Sequence, residues 1–122
     1  MALQLLFLMA LSNGQAAPAR ELDLNVLASE YGQYFACVHD AAAKFASGVE
    51  STATEIATAA LHECSNLGNS ARSRARQKVI EFNQSSLPAQ RVPLNWVDET
   101  YELVIRKARD GAVADVVKLR AK

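Results

Sequence analysis

The chain has 122 residues, half of them apolar and 7% aromatic, and its 13 basic and 13 acidic side chains cancel. That length holds one domain and hardly two. Much of the apolar half is alanine, β-branched residues are sparse before the C-terminal third, and glycine and proline are few, so the composition favours close-packed helices over a sheet. Zero net charge speaks against a dedicated nucleic-acid binder.

Residues 1–19 stand apart from the rest. Leu3, Leu5, Leu6, Phe7, Leu8, Met9 and Leu11 form a dense apolar run, shorter than the roughly 20 residues a membrane-spanning helix needs. Ser12-Asn13-Gly14-Gln15 and then Ala17-Pro18-Ala19 follow it, a polar stretch ending in a small-x-small cleavage pattern. That order predicts a secretory signal peptide cut after Ala19 or after Ala16, although the stretch holds no Lys or Arg and relies on the terminal amine for its positive charge. Residues 20–122 would then form a single mature domain without a transmembrane helix.

The first helix is predicted over about 24–47, where Leu27, Tyr31, Tyr34, Phe35, Val38, Ala41, Ala42 and Phe45 recur at steps of three and four. Asp23 or Asn25 can cap its start, and Gly48 supplies a residue suited to its end. Thr52-Ala53-Thr54-Glu55 fits a capping box. It opens a second helix over about 52–83, whose stripe runs Ile56, Ala60, Cys64, Leu67, Ala71, Ala75, Val79, Phe82. Gly68-Asn69-Ser70 is the place where this helix would kink or divide. Pro88 and Pro93 make 84–94 a linker. Asn95 with Asp98 marks the start of a third helix over about 95–120, which should lay Val97, Tyr101, Val104, Ala108 and Ala112 on the first two.

Two cysteines give the sharpest geometric signal. Residues facing each other in an antiparallel helical hairpin have a nearly constant sum of positions, because both helices rise equally per residue. Cys37 and Cys64 sum to 101, which puts the midpoint between Glu50 and Ser51, inside the turn found independently from Gly48 and Thr52. The same sum pairs Phe45 with Ile56, Ala41 with Ala60 and Tyr34 with Leu67. A Cys37–Cys64 disulfide is therefore predicted, and it fits an oxidising compartment. Their long separation does not match the C-x-x-C spacing of a redox motif.

His39 and His62 also sum to 101 and neighbour Asp40 and Glu63, so they are weak candidates for a metal site. Each lies about 200° around its helix from the adjacent cysteine, which turns both away from the seam. Arg72, Arg74, Arg76 and Lys78 are weak candidates for phosphate contact, but helical geometry splits them into an Arg72/Arg76 and an Arg74/Lys78 stripe with no aromatic between. Charge is segregated: Arg20 to Ser70 carries −5 and Ala71 to Lys122 carries +5, so the basic run suits a salt bridge to the acidic half better than nucleic acid. Trp96, Tyr101, Tyr31 and Tyr34 read as core rather than as a ligand groove, and Asn83-Gln84-Ser85 matches a glycosylation sequon. There is no Gly-rich phosphate loop or nucleophile elbow.

These features predict an all-α domain: a three-helix bundle, or four helices if the second divides near Gly68, built on a disulfide-linked antiparallel hairpin. The expected role is that of a secreted or periplasmic, non-enzymatic interaction or structural module without a cofactor. Its expected partner is a protein or a second copy of itself, with nucleic acid disfavoured. The alternative is a ligand- or metal-binding module using His39, His62 and nearby aromatics. In general character the chain is similar to small secreted helical proteins of Gram-negative bacteria, including periplasmic acid-stress chaperones with one disulfide. It shares no motif with them, so no residue role carries over.

Overall fold

The computed structural model describes residues 29–47 and 50–121. The predicted signal segment 1–19, the Asp23 and Asn25 caps, Leu27 and the Gly48 turn residue lie outside the described residues. Among those described there are four α-helices and no strand: α1 (Gly32–Ala46), α2 (Ala53–Glu63), α3 (Ser65–Gln84) and α4 (Asn95–Arg120), with a short 3-10 turn at Pro88–Gln90. Among them, no helix is long and apolar enough to cross a membrane.

Local chemistry explains the ends. The Thr52 hydroxyl accepts from the Glu55 N–H at 3.1 Å, and the Thr52 N–H donates to the Glu55 carboxylate at 2.9 Å, completing the capping box that starts α2. Asn95 does not cap α4 as expected; it is the first helical residue, and Leu94 before it has no side-chain cap. The chain leaving Pro93 is already turned, with Trp96 N–H bonded to the Pro93 carbonyl at 3.1 Å and Val97 N–H to that of Leu94 at 3.0 Å. These short-range bonds satisfy amides that a cap would otherwise serve.

The segment between α3 and α4 is a linker by composition but is firmly held. The Asn83 side-chain amide donates to the Val92 carbonyl and accepts from the Val92 N–H, both at 2.8 Å, as a strand neighbour would. Val92 is buried. The sequon asparagine is thus engaged on both its oxygen and its nitrogen.

The long second helix divides at Cys64 and not near Gly68. Cys64 has φ −96° and ψ 8°, away from ideal helical values, yet its N–H still reaches Ala60 and its carbonyl still receives the Gly68 N–H. The break coincides with the disulfide, whose Cys37 and Cys64 Cα atoms lie 6.0 Å apart, an ordinary spacing for such a bond. One residue departs from regular geometry while the hydrogen-bond ladder continues across it.

Gly68 has the opposite role from the one its composition suggests. It is buried inside α3, and a Cβ there would lie 2.6 Å from the Tyr101 hydroxyl and 2.9 Å from the Tyr34 ring. Glycine is present so that two tyrosines can close on the helix backbone. Tyr34 therefore meets Gly68, one position beyond its expected partner, and Leu67 is left 39% exposed. Much of the predicted stripes is inside: Val38, Ala42, Ile56, Ala60, Val97 and Val104 are all nearly inaccessible, while Phe35, Phe45 and Phe82 are only partly buried. α4 packs against α1, α2 and α3, and α1 against α2 and α3.

The Gly68→Ala substitution should lower stability by about 1–3 kcal/mol in a thermal or urea melt, overpacking outweighing the gain in helix propensity. A second variant probes the same cluster. Tyr31 is fully buried and stacks near Tyr101 at 6.0 Å between centroids, but its hydroxyl has no hydrogen-bond partner among the described residues. Tyr31→Phe should be neutral or stabilising by up to about 1 kcal/mol, since it removes a buried polar atom without opening a cavity.

Candidate functional site

The residues singled out by sequence fall into three places. Cys37 and Cys64 are joined between α1 and the end of α2, Cys64 buried and Cys37 partly so. The basic run divides by helical phase. Arg74 Nε lies 2.8 Å and Lys78 Nζ 2.7 Å from the two carboxylate oxygens of Glu30, which is 7% exposed. Arg72 stacks over the Tyr101 ring at 4.8 Å and lies 4.0 Å from Asp98. Arg76 is exposed and makes no ion pair among the described residues. Three of the four basic side chains thus have partners within the fold.

The histidines part company. His39 Nδ1 lies 2.6 Å from a carboxylate oxygen of Asp115 on α4. His62 is exposed and has no part in that contact. No group of three or more His, Cys, Asp or Glu side chains among the described residues is placed to hold a metal ion.

His39 and Asp115 sit on the rim of a cleft of about 190 Å³ between α1 and α4. Phe35, Val38, Ala108 and Ala112 make its apolar walls, with Gly111 and Lys107 alongside. A larger depression near Ile80, Asn83 and Leu94 is an open dip over the linker without a histidine or carboxylate. A third, at Arg72, Ser73 and Arg76, carries Asp98 as well, which opposes anion binding there. Of these three, the α1–α4 cleft combines apolar walls with a paired acid and base.

Gly111 is the least explained residue in it. An interior helical glycine costs about 1 kcal/mol relative to alanine. Gly68 has a packing reason for that cost, but a Cβ at Gly111 would meet nothing within 4 Å. Gly32 is equally open, but it stands in the first turn of α1, where the penalty is smaller.

Sequence reading missed Asp115, Glu30 and Gly111 as members of these sites. The charge segregation foreshadowed Glu30 meeting the basic run. Nothing local marks Asp115, which lies 76 residues from its histidine. Gly111 had one available signal, a glycine between the core positions Ala108 and Ala112 of a long amphipathic pattern.

The chain matches no protein-family model, and no curated protein or solved structure is significantly similar to it.

Two of the ion pairs make stability depend on pH with opposite sign. The Lys78 hydrogen bond holds the Glu30 carboxyl below its ordinary range; burial opposes this, and Arg74 adds to it. That stabilisation is present above the ordinary carboxylate range and is lost as pH falls through the folded value. The hydrogen bond to Asp115 raises His39, with the charges of Asp115 and Asp40 adding and slight desolvation opposing. Its contribution is full below the ordinary histidine value of about 6.5 and is lost as pH rises through the folded value. Melting temperature should therefore peak between the two ranges, at about pH 5–6.5. Glu30→Gln should flatten the acid limb and lower stability near neutrality by about 1–2 kcal/mol. His39→Gln should flatten the other limb.

Proposed function

We propose that this chain is an exported, non-enzymatic helical module that acts outside the cytosol by binding through a surface stiffened by its disulfide. The Cys37–Cys64 bridge carries this reading, since such bonds persist in oxidising compartments. The apolar stretch over 1–19 with its Ala17-Pro18-Ala19 ending supports the same compartment, as a leader cut after Ala19 or Ala16. In this reading the mature chain is secreted or periplasmic, and its partner is a protein or a second copy of itself.

The architecture behind it is an antiparallel hairpin of α1 with the α2–α3 rod, closed by α4. The contacts Cys37–Cys64, Tyr34–Gly68 and Glu30–Arg74 have position sums of 101, 102 and 104, as such a hairpin requires. Arg72–Asp98 and Ser51–Arg120 sum to 170 and 171, which supports an α4 that returns along α2 and α3 in the same manner. A binding role suits the titratable side chains, because Glu30 and His39 are both taken up in ion pairs within the fold, with Lys78 and Asp115. The second reading, a ligand-binding module, is favoured by the cleft beside His39. A metal held jointly by His39 and His62 has no such support.

The test is chemical. Full-length protein expressed with its leader and collected after export should take up no alkylating reagent under denaturing conditions, and one adduct on each cysteine after reduction. Reduction should lower stability by about 3.5 kcal/mol, the chain-entropy value for a loop of 27 residues. Both thiols labelling without reductant, or retention of the protein in the cytosol, would sink the proposal.

A further inference from the structure

We infer that the outer face of α4 is an antiparallel docking surface for a second copy of this chain, the two helices meeting about a two-fold axis between Lys107 and Asp110. Each lysine then lies on the aspartate of the other copy. The inference deepens the interaction role proposed above and rests on it, since it names the partner and the surface.

The face is spaced for a helix and has none on it. Leu103, Lys107, Asp110, Ala114, Val117 and Ala121 follow one another at steps of four and three, the spacing of a coiled-coil seam. All six are exposed, Leu103 by 50% and Val117 by 56%, while α4 turns Val104, Ala108 and Ala112 to the bundle on its other side. Gly111 is exposed among them in the middle of a 26-residue helix, and a Cβ there would meet nothing within 4 Å. Within one chain that glycine only weakens the helix. Beside a second helix it allows close approach.

Charge order selects the occupant. Residues level with each other in an antiparallel pair have a constant sum of positions, and a two-fold axis makes every contact occur twice. A sum of 217 sets Lys107 on Asp110, Glu99 on Lys118 and Leu103 on Ala114. Each of these charges meets its opposite, and the large apolar side chain meets a small one. Glu99, Lys107, Asp110 and Lys118 are all exposed and form no ion pair among the described residues. Arg106, at the edge of the face, is level with Gly111 and meets no like charge. A parallel pair would set Lys107 on Lys107 and Asp110 on Asp110, which opposes that arrangement. Mirrored opposite charges are what self-pairing about a two-fold axis requires, and a different partner would not need them. The lysine stem of one copy passes beside Gly111 of the other, where no side chain obstructs it.

Sedimentation equilibrium of the purified chain should show reversible dimerisation with a dissociation constant on the order of 10–100 µM, as suits an interface of one helix pair. Lys107→Asp or Asp110→Lys alone sets like charges face to face and should weaken association at least about tenfold. The double variant, Lys107→Asp with Asp110→Lys, makes the facing charges opposite again and should restore it. Gly111→Leu should weaken association while raising the melting temperature of dilute protein, a split that a glycine needed only for folding would not give. All of these positions are exposed, so circular dichroism should show helicity kept in each variant. A chain that stays monomeric up to about 500 µM overturns the inference. So does association that the single variants leave unchanged or that the double variant fails to restore. Alkylation reads the export proposal separately: a monomer with a closed disulfide sinks this surface and leaves that reading standing.

Discussion

The bridge between Cys37 and Cys64 governs the packing around it. It holds one point of α1 to the end of α2 with the two Cα atoms at 6.0 Å, and so fixes which residues of the two segments lie level with one another. Small residues flank the crosslink along the same faces: Ala41, Ala57, Ala60 and Ala71 are all buried. The helical stretch from Ala53 to Gln84 is divided at Cys64 without losing its ladder of hydrogen bonds. An alanine-rich core with few aromatics, weak in apolar area per residue, thereby gains a covalent constraint on its unfolded chain.

Bulk enters where the crosslink no longer dictates spacing. One turn beyond Cys64, Gly68 admits Tyr34 and Tyr101 against the helix backbone, and Tyr31 stacks behind them. Burial pushes the Tyr31 and Tyr34 hydroxyls up to about 12 and raises Tyr101 as well, so all three stay neutral at physiological pH. Charge is excluded from this layer and gathered just outside it. Glu30 meets Arg74 and Lys78 on one side, and Arg72 covers the Tyr101 ring on the other. The opposed charges of the two sequence halves are partly spent within the molecule, at the seam between α1 and α3.

Much of the helical content was legible because its determinants are local or periodic. The stripe from Val97 to Ala112 named the buried face of α4, and Thr52 with Glu55 named the start of α2. The Cys37–Cys64 pairing was legible because two helices of equal rise leave few variables in which residues can meet. Other features were not. Asn95 has the chemistry of a cap, but the turn leaving Pro93 had already satisfied the amides it would serve. Gly68 looks like a helix breaker to any local rule, and its real partners lie 34 and 33 residues away at Tyr34 and Tyr101. Asn83 reads as a sequon, while its amide is committed to Val92.

By itself, the amino-acid order determined the helical class, much of the apolar faces, the capped start of α2 and the pairing of the two sulfurs. Each of these follows from residue type and spacing along the chain. Only the tertiary structure decided where the second helix divides, which glycine packs and which stays open, and that His39 answers to Asp115 while His62 stands alone. Those outcomes depend on the distance and phase between helices far apart in sequence. One residue of slip, as between Leu67 and Gly68, exchanges a buried position for an exposed one.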